Sequence, residues 1–516
     1  MVRTGTARGP SVLPYVYCTV LLVLFSSHWP GIFDETLDGN GDNAAYYILG
    51  KALYLGEGYT YINTPTAAAA NNLPPGYPAL VALTMALWSP EFAAIKVVNG
   101  IFLLLSVLAL FILYRHLGTN VHLAFVAALA AFCNGHLLHS SIIMMSEVPF
   151  LFFSTAALLL FTRLQEENFR QPQIYLLLVC LVAAYYIRSM GVALLVAICL
   201  ELAWQRRWKY LGFVTTGFVL AALPWYIRGR GMGGNAYLDQ LLSINPYRPD
   251  LGRVGWSGLA LRLYENAQRY IHREIPDSLL YYIERDWTRE PVASDWLLGI
   301  LSLLLVGYGF YRLRAHRRLI VLYVAATGGI VLLWPQVWPG TRFIQPLIPL
   351  LWLAVCNSLY AFFVWGLEKV GSPWRFQPLL LLLPLWFIFV PDLNYHHRLA
   401  TTGKQPNNWI NYYALAEWAK QNTEPEAIIA CRKPVLFYLY SNRRTVVFRF
   451  TTDGALLLED LKQKQVDYVV IDQLGSASTE RYLLPAVIKY EKEFSLVHSV
   501  ENPSTWLVAF QPSDEL

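Results

Sequence analysis

Long apolar stretches alternate with short basic clusters along most of this chain. Runs with few or no charges cover residues 11–33, 97–114, 121–145, 148–162, 173–187, 189–200, 210–227, 296–311, 319–341, 343–367 and 376–391. Most approach the ~20 residues that an α-helix needs to cross a hydrocarbon core. Arg and Lys gather at 3–8, at Arg115, and at 163–170, 206–209, 312–318 and 369–375. Basic residues beside spans stay on the cytoplasmic side. With the clusters inside, the pattern gives about eleven crossings, a cytoplasmic amino terminus and an outer segment after Pro391. The first run is too long for a signal-peptide core and reads as a retained span.

The pair 173–187 and 189–200, divided by Arg188, decides the count. The two could form one long helix. However, the basic groups at 163–170 and 206–209 should both be cytoplasmic, so an even number of crossings must separate them. That favours a hairpin of two short or tilted helices with Arg188 at its outer turn.

Three outer segments follow. The first loop, 34–96, holds Asp42 and a helix-like stretch after Pro78 too short to span, suited to lie along the interface. The second, 228–295, is rich in Arg, Tyr and Trp. The tail reads as a small α/β domain, with helices at 409–421, 434–440 and 454–464 and strands at 427–431, 444–450 and 466–472. The chain thus divides into a transmembrane part, 1–391, and a soluble extracytoplasmic part, 392–516. No Gly-rich loop opens a helix of the tail, which argues against nucleotide binding.

Composition agrees. The chain is 55% hydrophobic and 15% charged, with mean hydropathy +0.37, against roughly a quarter charged in soluble domains. The net charge of +5 is scattered and reads as topology rather than a nucleic-acid footprint. Of the six cysteines, all but Cys431 lie in apolar runs, so neither a disulfide framework nor a CxxC metal site is expected.

Four charged residues stand at the outer boundary. Asp42 and Tyr46, spaced i, i+4, share one helix face; Asp42 is also placed simply to cap that helix. Glu147 opens the fourth span, where a carboxylate suits a helix amino terminus. The functional alternative sets Asp42 and Glu147 facing each other across one cavity, dividing general-base and orienting work. Arg188 and Arg342 break apolar runs. Either could snorkel, but an ionisable residue within spanning segments is a functional candidate, and arginine suits phosphate. His136 and His139, i, i+3, leave a divalent ion open, although no third ligand is fixed; no cofactor is otherwise expected. His396-His397 reads as a solvated loop.

In order and topology these motifs resemble the GT-C class of membrane glycosyltransferases, in particular bacterial relatives of protein O-mannosyltransferases (family 39) and the lipid A aminoarabinose transferase. Asp42-Asn43-Ala44-Ala45-Tyr46 is similar to that class's Asp-Glu-x-x-Tyr motif, with Asn in the Glu position. Leu73-Pro74-Pro75-Gly76-Tyr77-Pro78 is similar to its Pro-Pro-x-Tyr segment, with Leu73 where some relatives carry Lys. Ser146-Glu147-Val148-Pro149-Phe150, Pro224-Trp225 and Arg342 with Pro346 look like later landmarks. The resemblance covers about 30–350. It implies transfer of a sugar from a polyprenyl-phosphate donor to a lipid, glycan or protein acceptor on the outer face of the cell membrane. Asp42 would be the catalytic carboxylate with Glu147 beside it, Arg188 and Arg342 the donor-phosphate ligands, and Tyr46 and Tyr77 substrate contacts. The rival readings are a lipid-linked sugar flippase or transporter, for which no internal repeat is visible, and a non-catalytic envelope-assembly scaffold.

Overall fold

The computed structural model describes residues 12–28, 33–39, 41–169, 172–232, 236–281, 289–372, 377–402 and 405–512. The amino-terminal basic cluster and Arg375 lie outside them, as do the side chains of His396 and His397. Helix α1 (Leu13–His28) is followed by two short helices of the first loop, α2 (Asp42–Tyr54) and α3 (Gly76–Leu87), which flank a two-stranded ribbon of β1 (Thr60–Tyr61) and β2 (Ala68–Ala69). The bundle continues with α4 (Phe92–His116), α5 (Val121–Phe132), α6 (Gly135–Ile142), α7 (Glu147–Glu166), α8 (Gln173–Ile187), α9 (Gly191–Trp204) and α10 (Trp208–Gly231). After α11 (Ala236–Leu242), α12 (Trp256–Arg269) and α13 (Ile275–Leu279) come the long helices α14 (Ala293–Tyr311), α15 (Arg317–Leu333), α16 (Ile348–Lys369) and α17 (Leu382–Thr402). Among the described residues, five helices are long and apolar enough to cross a membrane, or six if α5 and α6 count as one span; several apolar helices are shorter. The protein is a polytopic helical membrane protein.

Close packing fixes the bundle where small residues let backbones meet. A Cβ on Gly309 of α14 would lie 1.8 Å from the Ala354 carbonyl oxygen of α16, so these helices touch backbone to backbone. Two expected spans take different forms. The run 121–145 is broken between α5 and α6 by a 51° bend. Asn134 stands at the break: its Oδ1 accepts from Leu137 N and its amide donates 2.9 Å to Ser278 O, bonds that draw the chain away from a straight helix. The run 319–341 ends early, at Leu333, because Pro335, Pro339 and Gly340 at φ 122° cannot continue it.

Helices α8 and α9 turn back on each other. At one end Gln173 bonds Glu167, Gln165 bonds Glu201, and Arg207 bonds Asn168. These pairs bring the start of α8 and the finish of α9 to the carboxyl end of α7. Arg188, extended between the two helices, lies instead beside Glu147 at the amino end of α7.

Residues 407–512 build a five-stranded sheet from β3 (Ile428–Ala430), β4 (Arg444–Val446), β5 (Tyr468–Ile471), β6 (Phe494–Val500) and β7 (Thr505–Phe510), ordered β4-β3-β5-β7-β6. Strands β3, β4 and β5 run parallel, and β7 is antiparallel to both β5 and β6. Helices α18 (Asn407–Asn422), α19 (Pro434–Ser441), α20 (Gly454–Gln463) and α21 (Leu484–Lys489) cover it. The expected strand 444–450 stops at Val446. The antiparallel pair β6–β7 completes a sheet of which only the βαβ half is foreseen from the sequence pattern. The sheet domain docks on the first loop: Thr445 N donates 2.7 Å to Asn63 O, and Arg444 reaches Pro65 O at 2.5 Å.

Candidate active site

The four boundary charges meet at one place, each delivered by the end of an element. Asp42 opens α2, Glu147 opens α7, Arg188 sits in the α8–α9 turn, and Arg342 lies in the 3-10 turn Thr341–Leu347 that leads into α16. Chain ends place side chains at a boundary without spoiling a helix interior, which is how such distant residues converge.

Arg342 is the hub. Its Nη1 donates 2.7 Å to Asp42 Oδ2, and its Nε donates to Glu147 Oε1. Arg188 Nη1 pairs with the same Glu147 oxygen at 2.6 Å and donates 3.0 Å to Ser146 Oγ. Ser146 and Tyr46 share a hydrogen bond of 2.9 Å. Glu147 is 1% exposed, whereas the Asp42 side chain is 44% exposed. The other Glu147 oxygen, Oε2, has no hydrogen-bond partner among the described residues. The two carboxylates do not face each other across open space, because Arg342 stands between them. Glu147 is instead the buried counter-ion of both arginines, and Asp42 is the carboxylate that solvent reaches.

Asp42 does not cap its helix. Gly41 takes the N-cap position at φ 92°, a conformation that favours glycine, and no side-chain cap bond forms. The Asp42 carboxylate is directed to Arg342 instead. Tyr46 and Tyr77 support the site from beneath. Their rings meet edge to face at 4.9 Å, and Tyr77, fully buried, donates 3.1 Å to Asn99 Oδ1. Tyr77, expected as a substrate contact, has both hydroxyl and ring covered by protein. Burial pushes the Tyr46 hydroxyl up, so it stays protonated.

Two further acidic residues, Glu274 and Asp277, pin the backbone that leads into Arg342. Glu274, in the segment between α12 and α13, pairs with Arg269 at 2.7 Å and accepts from Gly340 N at 3.4 Å. Burial raises its carboxyl above the usual range. Asp277 accepts from the Thr341 hydroxyl and pairs with His136 at 3.0 Å. His136 is thus spent on Asp277, and among the described residues no group of three or more His, Cys, Asp or Glu is placed to hold a metal ion.

Sequence reasoning misses several contributors. Tyr237 of α11 bonds Ser189 and lies within electrostatic reach of Asp42, Tyr46 and Arg188. It sits in a loop without periodicity, where no pattern marks it. Ser146 carries only the signal of preceding Glu147. Lys433 of the sheet domain reaches the α2 end of the site, and nothing local announces a residue so distant in sequence.

A family model described as dolichyl-phosphate-mannose-protein mannosyltransferase matches residues 74–230. A search of curated protein sequences finds no match. Among solved structures, the chain is similar to ArnT from Cupriavidus metallidurans bound to undecaprenyl phosphate, with TM-score 0.60 and 11% identity over 96% of this chain and 97% of that one. It is also similar to the Archaeoglobus fulgidus oligosaccharyltransferase, tethered with an acceptor peptide, with TM-score 0.59 and 12% identity over 97% of this chain and 74% of that one. At such identities the likeness is one of fold. With the family match, it bears out the resemblance to GT-C glycosyltransferases drawn from the motif order.

Proposed function

We propose that the protein transfers a sugar from a polyprenyl-phosphate donor to an acceptor hydroxyl at the outer face of the membrane. The observation that carries this reading is the division of labour between the two carboxylates. A buried Glu147 holds two arginines in register, and a half-exposed Asp42 shares one of them with the solvent side. An open carboxylate beside an arginine fixed from behind is placed to accept a proton from a bound acceptor.

The donor phosphate engages Arg342 and Arg188, and Arg342 exchanges its Asp42 contact for the phosphate while keeping Glu147. Asp42 then accepts the proton of the acceptor hydroxyl as its oxygen attacks the anomeric carbon. The carbon–oxygen bond to phosphate breaks, and the bonding pair leaves with the polyprenyl phosphate. Charge developing there is stabilised by arginines already fixed by Glu147, so little reorganisation is needed at the moment of reaction. The fold that carries ArnT with bound undecaprenyl phosphate supports a donor of this class.

Orientation belongs to the same reading. With the basic clusters on the cytoplasmic side, an arrangement the hairpin of α8 and α9 supports, the site, the loops 34–96 and 228–295 and the sheet domain lie outside, after about eleven crossings. A reporter active only outside the cytoplasm, fused after Leu516, should be active; a signal confined to the cytoplasm would reverse the topology. Activity is tested with the protein in liposomes and a panel of undecaprenyl-phosphate sugars, following release of undecaprenyl phosphate. Turnover of at least one donor by wild type, lost in Asp42→Asn, is expected; an equally active Asp42→Asn would remove the general base.

A further inference from the structure

The sheet domain is anchored so that one of its cations points at the reaction centre. Arg432 lies over the rings of Tyr247 and Phe450, at 5.2 and 5.4 Å, and donates 2.6 Å to Ser478 Oγ. Tyr247 in turn accepts from Trp338 Nε1 at 2.9 Å through its hydroxyl, and from the Tyr482 hydroxyl at 3.1 Å through its carbonyl. Trp338 lies four residues before Arg342, so this chain of contacts joins the Arg342 segment to the sheet domain. The next residue, Lys433, heads α19, and its carbonyl accepts from Tyr412 at 3.2 Å. The Lys433 ammonium lies where a Cβ on Gly41 would sit 3.5 Å from it, one residue before Asp42.

We propose that Lys433 is a positioning residue of the reaction centre, the cation that Asp42 keeps when a donor phosphate draws Arg342 away. The inference rests on the roles given to Asp42 and Arg342 above. As long as Arg342 holds Asp42, the carboxylate is compensated from the bundle side. Once Arg342 turns to phosphate, an incoming anion and Asp42 would otherwise compete with no cation between them. Lys433, brought by the sheet domain to the residue before Asp42, keeps that carboxylate directed at the acceptor. It is itself poised: burial and neighbouring Arg432 push its ammonium down, while Asp42, Asp38 and Asp472 hold it up. Among the described residues, Arg342, Tyr46, Tyr61 and Tyr237 also lie within reach of Asp42. Of these four, Arg342 is the cation, and it is the one the phosphate draws away.

The test uses the full-length chain in liposomes, with turnover of an undecaprenyl-phosphate sugar that wild type accepts resolved into kcat and donor KM, beside binding of undecaprenyl phosphate, for wild type, Lys433→Met and Lys433→Arg. A cation that only positions Asp42 acts on the acceptor step, so Lys433→Met should lower kcat by about tenfold, the low end of the loss of one charged contact, while donor KM and undecaprenyl phosphate binding stay as in wild type. Lys433→Arg should restore kcat. A Lys433→Met kcat equal to wild type, or a loss that Lys433→Arg does not restore, would overturn the inference and leave the function standing. A wild type that binds no undecaprenyl phosphate would overturn both.

Discussion

Two buried glutamates, one at each end of the bundle, pair with arginine in different ways. At the end remote from the sheet domain, Glu201 of α9 meets Arg318 side-on, at 2.5 and 2.7 Å, and also accepts from Gln165 and Gln205. Both its oxygens are engaged, and the Arg318 side chain is 42% exposed. This pair clips α9 to α15 beside an open cavity of about 640 Å³ whose walls include Arg314 and Arg317. At the other end Glu147 gives one oxygen to two arginines and leaves the second without a partner among the described residues. The first arrangement is closed and resembles an anchor. The second concentrates two guanidinium groups on one carboxylate and shares one of them with an exposed aspartate. Two guanidinium groups on one buried carboxylate cost more desolvation than a single pair with an exposed arginine, and the proposed function assigns its chemistry to that costlier end.

That contrast can be broken by substitution. The largest effect is expected from Asp42→Asn, which removes a general base and should lower transfer by about 10²- to 10⁴-fold while undecaprenyl phosphate still binds; steady-state turnover against binding separates the two. Glu147→Gln takes the buried counter-ion from two partly buried arginines, a change that costs up to about 3–5 kcal/mol, and should show as a large drop in thermal unfolding temperature. Glu201→Gln, whose arginine can turn to water, should cost about 1 kcal/mol or less. If the two glutamates proved equal in this measurement, the distinction between anchor and site would fail. Arg342→Lys and Arg188→Lys keep the charge but lose the planar fork. Each should weaken donor use by an amount equivalent to one charged hydrogen bond, roughly 1.5–3 kcal/mol or about ten- to more than a hundredfold, read from donor titrations. The smallest effect is expected from Arg318→Lys, which should leave donor titrations unchanged.

Much of this arrangement is legible in the sequence because membranes impose simple rules. Apolar runs and basic clusters outline the helices, and the requirement for an even number of crossings around Arg188 anticipates the hairpin that the contacts of Gln173, Glu201 and Arg207 draw. Asp42, Glu147, Arg188 and Arg342 are visible because charges at the boundary of apolar runs are costly and few. What each does is not legible. Burial separates Glu147 from Asp42, and burial is a property of the packed bundle rather than of local pattern. The role of Asp42 as a cap is a local inference that a tertiary partner, Arg342, overrides. Breaks inside apolar runs, at Asn134 and after Leu333, depend on bonds to residues far along the chain or on glycine and proline geometry. Tyr237 and Lys433 are ordinary in their neighbourhoods and become part of the site only through the docking of loop and sheet domain.

The most direct test is an experimental structure of the protein with undecaprenyl phosphate bound. The account places the phosphate within hydrogen-bonding distance of Arg342 and Arg188, with Glu147 still behind them and Asp42 released toward the acceptor side. A phosphate bound instead among Arg314, Arg317 and Arg318 at the opposite end, with the Asp42–Arg342 pair intact, would contradict it.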